Sequence, residues 1–305
     1  MKPRGVAAAL GVLVWCGLVA GHAADSGAWP RALVAFAALV IVPLGLALDG
    51  RRGPGPAVLL AAAAALAVSA RVEAGGIAGT LAVPWLAATV SLALGEVRDA
   101  WARRGSGNTW GDDAARAARL FLPIGAMWAF ADRLGWTPFG FDASTVILTA
   151  AHFHYAGFAL PLAASSAARA RPSTRGDLAC AGVITGVPLV ALGISATHAG
   201  LGAALETGAV ALLAASALGV ATLHAASARD ARLPILARAL LSLAAGALAL
   251  GTTLALLYGL RALVPGVAFE LDFMWTTHGS IQAFGFALPA MLGWWVALLR
   301  PHAGS

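Results

Sequence analysis

Ten apolar runs recur along this 305-residue chain, near 5–22, 30–48, 55–70, 77–95, 117–134, 143–168, 178–197, 203–226, 235–263 and 274–298. Most are long enough to cross a hydrocarbon layer of ~30 Å as a helix rising ~1.5 Å per residue. A backbone in lipid must satisfy its own hydrogen bonds, so runs of this length fold as helices or do not span at all. The fold class expected is therefore all-α, a polytopic transmembrane bundle forming one domain over 1–305. Composition agrees: 60% of residues are hydrophobic and only 11% charged, where soluble domains carry about a quarter charged residues.

The loops test that count independently. With the N-terminus placed inside, only Arg31, Arg71, Arg133 and Arg261 fall in outer segments. The other sixteen of the twenty Lys and Arg residues fall inside. This alternation is the positive-inside pattern, and omitting one internal helix would scramble it. It predicts both termini in the cytoplasm of a bacterial inner-membrane protein. The basic start, apolar run and small residues near Ala23 also fit a cleaved signal peptide; cleavage would leave nine helices in the same orientation. The net charge of +6 is spread between apolar runs, so it points to anionic lipid and not to nucleic acid. Cys16 and Cys180 lie in apolar runs and have neither disulfide nor zinc spacing. The longest hydrophilic loop, 96–116, reads as a solvated cytoplasmic loop with Glu96 at its edge. It has no nucleotide-binding glycine pattern.

Two segments echo each other. "HFHYAGFALP" (152–161) and "HGSIQAFGFALP" (278–289) share GFALP and lie in helices of the same direction. The echo suggests a parallel four-helix repeat, 55–168 and 178–298. Aligning the two glycines sets His154 against Gln282, with His278 one turn further out.

Ionisable groups inside a span are costly and mark interiors or cavities. The residues expected to bind a ligand or carry protons are His152, His154, Tyr155, Glu206, His278 and Gln282. His152 and His154 point about 200° apart on a regular helix, so one should face the site and the other tie its helix to a neighbour. By the echo, His154 is expected to face His278 and Gln282. Glu206 would join them if its helix lies close enough. His22, His224 and His302 fall at span ends or in the tail, where a structural or solvated role is expected. The tryptophans, Trp85 and Trp294 among them, are expected to be mainly interfacial anchors.

The segments "PFGFDASTVILTAAHFHYAGFALP" (138–161) and "THGSIQAFGF" (277–286) resemble the YndJ-like bacterial membrane proteins, with their HFHYAGF and later HGxxNxxGF motifs. Gln282 stands where that pattern has Asn, which keeps an amide on a longer arm. The resemblance implies a multi-pass membrane fold; its functional label, transporter, carries no mechanism.

Three functions compete. A secondary transporter or permease for a small solute fits the span count, the echo and the in-span polar groups. A membrane-embedded enzyme would use a tuned histidine for acid–base work on a lipophilic substrate. A haem- or metal-binding protein would use the histidines and Glu206 as ligands, but the divergence of His152 and His154 argues against a metal. The expected set accordingly has no metal and no cofactor; its partners are the lipid bilayer and one small-molecule or lipophilic substrate.

Overall fold

A computed structural model describes residues 3–19, 28–50, 53–102, 109–261, 263 and 269–299. Lys2, His22, Ala23, Arg51, Arg52, Arg103, Arg104, Ser106, Arg300 and His302 lie outside the described residues. So does the signal-peptide junction.

Among the described residues the chain forms ten long helical segments and no strand. They are α1 (Pro3–Val19), α2 (Trp29–Asp49), α3 (Pro56–Ser69), α4 (Gly76–Ala102), α5 (Trp110–Leu134), α6 (Ala143–Ala170), α7 (Thr174–His198), α8 (Ala204–Ala228), α9 (Ile235–Gly259) and α10 (Leu271–Leu298). Every apolar run of the sequence appears as one of them. Seven are long and apolar enough to cross a membrane, and α1 and α3 are shorter apolar helices. The protein is a multi-pass membrane protein. Its lipid-facing surface is apolar, with Leu13, Ile77, Leu178, Leu192, Leu243 and Leu250 all exposed.

Helix α5 is not among the seven because charge dilutes its apolar run. It is nonetheless central, packed against α4, α6 and α7. Its start is fixed by a capping box, in which Thr109 Oγ1 accepts from the Asp112 amide and the Asp112 carboxylate accepts from Thr109. Its end is fixed by Gly135 at φ 73°, the left-handed conformation that glycine adopts without strain.

The two ends of the bundle are distinguished by their contacts. At one end Arg169 approaches Asp49 and Asp112, Arg171 donates to the Ala226 carbonyl and Arg238 to the Ala228 carbonyl. At the other, Arg31 holds Asp132, Arg133 donates to the Ser69 and Val72 carbonyls, and Arg261 holds Glu206. The first is the arginine-rich end of the sequence alternation and the second the arginine-poor end.

Three helices contain wide π-helical turns: Ala37–Ile41 in α2, Tyr155–Ala159 in α6, and Met274–His278 with Ile281–Ala287 in α10. A proline follows two residues after the π turn in each helix: Pro43, Pro161 and Pro289. Proline has no N–H and its ring displaces the carbonyl four residues back, and the widened turn absorbs that displacement. These three helices pack against one another. Phe36 of α2 meets Phe284 of α10 with ring centroids 4.8 Å apart, and Trp15 of α1 closes on Phe36 at 5.0 Å.

Candidate functional site

The two histidines of HFHY lie just before the π turn of α6 and have different surroundings. His154 is fully buried. Trp85 Nε1–H of α4 donates to His154 Nε2 at 3.1 Å, and His154 Nδ1–H donates to the Ala150 carbonyl one turn back at 2.7 Å. Both ring nitrogens are therefore used inside the protein, which requires the neutral tautomer protonated on Nδ1. The rings lie within 17° of parallel. The imidazole fits because α5 presents Gly125 to it: a Cβ there would sit 2.8 Å from His154 Nδ1. His154 is thus a tie between α4 and α6. Tyr155 is another, its hydroxyl donating to the Leu33 carbonyl of α2 at 2.7 Å.

His152 points the other way, is half-buried, and makes one long contact, from Nε2–H to the Val187 carbonyl of α7 at 3.4 Å. Its electrostatic neighbour is His278 of α10. His278 Nδ1–H donates to the Gly251 carbonyl of α9 at 2.8 Å. Gln282 lies one turn on and packs over the same glycine: a Cβ at Gly251 would meet Gln282 Nε2 at 2.8 Å and Cδ at 3.0 Å. His278 and Gln282 therefore sit together over Gly251 of α9, and His152 lies across from them on α6, on the side that faces α7. The π segments of α6 and α10 are in contact beside them.

The polar inventory here is specific. The two imidazoles spend one N–H each on a carbonyl, which leaves His152 Nδ1 and His278 Nε2 as acceptors when neutral. Among the described residues neither nitrogen, nor either polar atom of the Gln282 amide, has a hydrogen-bond partner. Unpaired polar groups inside a bundle cost free energy unless water or a ligand meets them. All three residues keep some accessible surface. By rise per residue His152 lies ~14 Å into α6 and His278 ~11 Å into α10 from the arginine-poor end.

The other expected site residues are elsewhere. Glu206 opens α8, is buried, and pairs with Arg261 at 3.0 Å. The Arg261 guanidinium in turn stacks over the Tyr258 ring at 4.2 Å. No hydrogen bond joins Glu206 to a histidine among the described residues. The structure thus brings together His152, His278 and Gln282, and separates His154, Tyr155 and Glu206 from them. Among the described residues no three of His, Cys, Asp and Glu group in a way that could hold a metal ion.

Several sequence expectations are corrected here. Trp85 is completely buried as the donor to His154 and is not an interfacial anchor. Trp294 is likewise buried, and donates to His224 Nε2 at 3.2 Å, while His224 Nδ1–H donates to the Val220 carbonyl at 2.9 Å. Glu96 is no loop-edge residue: it is 3% exposed and 3.4 Å from Arg119, whose guanidinium also holds Asp49 at 2.7 Å. Only the spacing of these charges from the ends of their apolar runs could have flagged them. Cys180 is buried and Cys16 exposed, both as free thiols.

The model of one family, described as YndJ-like protein, matches residues 32–286, which span α2 to the second π segment of α10 and hold all six expected site residues. No curated protein and no solved structure matches the chain.

Proposed function

The chain belongs to the YndJ-like family, and with the arrangement of its helices in view we propose that it is a secondary permease of the bacterial inner membrane, both termini inside. One observation carries the reading: the His152–His278–Gln282 site lies on the seam between two sets of helices, α2–α6 and α7–α10, each tied within itself. Helices α2–α6 are joined at the arginine-poor end by Arg31–Asp132–Arg133 and at the arginine-rich end by Asp49–Arg119–Glu96. In between they are joined by Trp85–His154 and Tyr155–Leu33. No ion pair between described residues crosses from α2–α6 to α7–α10. The polar contacts that do cross include the 3.4 Å contact of His152 with Val187 and the Trp29–Ser280 hydrogen bond.

A site on the seam between two helix sets is what alternating access requires, since rocking one set against the other opens it to each side in turn. The π turn followed by proline recurs in α2, α6 and α10, four helices apart, and this recurrence supports a four-helix repeat over 55–168 and 178–298, which would divide the bundle in the same way. Imidazole acceptors and an amide, with no carboxylate or guanidinium bonded to them among the described residues, suit a small uncharged solute that donates hydrogen bonds. Either histidine can take up a proton as the site opens to water.

Liposomes holding the purified protein and the pH dye pyranine test this reading. Gradients of urea, acetamide, glycerol and small sugars are imposed one at a time. At least one should drive uptake or internal pH change, with the response lost in His278→Ala and kept in Glu206→Gln. A protein that moves none of them but converts an added lipid-soluble substrate is an enzyme, and the permease reading fails.

A further inference from the structure

Among the described residues two side-chain hydrogen bonds join α7 to α6 or to the turn that leads into it, each from a histidine to a backbone carbonyl. One is the 3.4 Å contact of His152 with Val187 inside the bundle. The other lies at the arginine-poor mouth. There His198, the last residue of α7, donates from Nε2–H at 3.3 Å to the carbonyl of Phe139, in the turn Pro138–Gly140 before α6. We infer that this second contact is a latch: it holds the seam closed at the arginine-poor end, and its release opens the way to His152. The inference rests on the permease reading of the site.

Val187 and His198 are eleven residues apart on α7. The latch therefore stands ~16 Å outward of the contact made by His152, along the same helix. Its acceptor is strained. Phe139 has φ 56° and ψ 17°, a left-handed conformation that costs a residue with a side chain, and Gly140 follows at φ 76°. Packing of the ring does not hold Phe139 there, because the residue is 85% exposed. It is held by the turn's own bonds, from Gly140 N–H to the Thr137 carbonyl and from Phe141 N–H to the Pro138 carbonyl, and by His198. The imidazole is seated on Phe141, ring centroids 4.3 Å apart. Phe141 in turn packs with Ala131, Val146 and Trp128, so the turn moves with α5 and α6 while His198 moves with α7. Rocking one set of helices against the other has to part them. The backbone cost at Phe139 is of the same order as the net return of one hydrogen bond, so the latched and released states lie close in free energy. A gate that opens and shuts in every cycle needs that balance.

The test reads access without transport. Thr149 is half-buried, one turn outward of His152 on α6. Thr149→Cys, in a protein lacking Cys16 and Cys180, is exposed in vesicles to a membrane-impermeant maleimide on the arginine-poor side. His198→Ala should raise the labelling rate roughly fivefold, the shift given by one net hydrogen bond. His198→Gln keeps an N–H donor and should stay near the parent rate. Phe139→Gly removes the strain on the latched form and should lower the rate. Both positions are exposed, so these variants leave the core intact. Labelling unchanged in His198→Ala, or raised in Phe139→Gly, would overturn the latch, even in a protein that transports. Labelling that responds as expected in a protein that moves no solute would instead defeat the permease reading and leave the latch standing.

Discussion

Replacing Trp85 by Phe removes the indole N–H and leaves His154 Nε2 in place, fully buried without a donor. An orphaned buried acceptor costs about 1–3 kcal/mol. His154→Leu removes the other half and orphans the Trp85 N–H, at a similar cost of about 1–3 kcal/mol. The double variant orphans neither, because the Ala150 carbonyl that His154 also engages still has its helix partner. It should therefore be less damaging than the two single changes added together, by about 1–2 kcal/mol, well beyond the ~0.5 kcal/mol within which independent sites add. Equilibrium unfolding of the purified protein in mixed micelles, followed by helical circular dichroism as SDS rises, reads all four species. Additive single changes would show that the 3.1 Å contact does not hold α4 to α6. A His154→Leu protein of wild-type stability that fails in transport would refute the assignment of His154 as a tie and return it to the site.

Three further outcomes follow from the same geometry. Arg119→Met leaves Asp49 and Glu96, whose side chains are at most 3% exposed, without their shared cation, and should cost about 3–5 kcal/mol in the same unfolding assay. Glu206→Gln breaks a pair whose arginine is 37% exposed, so its loss should stay below about 1 kcal/mol in that assay. Single cysteines at Ser173 and Gly200, at opposite ends of α7, should be labelled by a membrane-impermeant maleimide only from the cytoplasm and only from outside respectively; reversed labelling would invert the orientation.

The sequence by itself determined the ten helices, the sorting of charge to two ends and the residues that interrupt apolar runs. These are properties of local composition: span length follows from summed hydropathy, and loop charge follows from order along the chain. The stripe of His278 and Gln282 was legible too, because four residues return to one helix face. Tertiary structure decided which polar groups meet. His152 and His154 differ by two positions, and their sequence gave no preference between facing Val187 and facing Trp85, 69 residues away. The echo aligned His154 with Gln282, yet the helices around each differ: Gly125 of α5 makes room for His154, while Gly251 of α9 receives Gln282. Glu206 found Arg261 because α8 and α9 are adjacent, and Glu96 and Arg119 are buried because α4, α5 and the end of α2 close on one another. Such pairings minimise the cost of burying charge, a cost that exists only once the helices have packed.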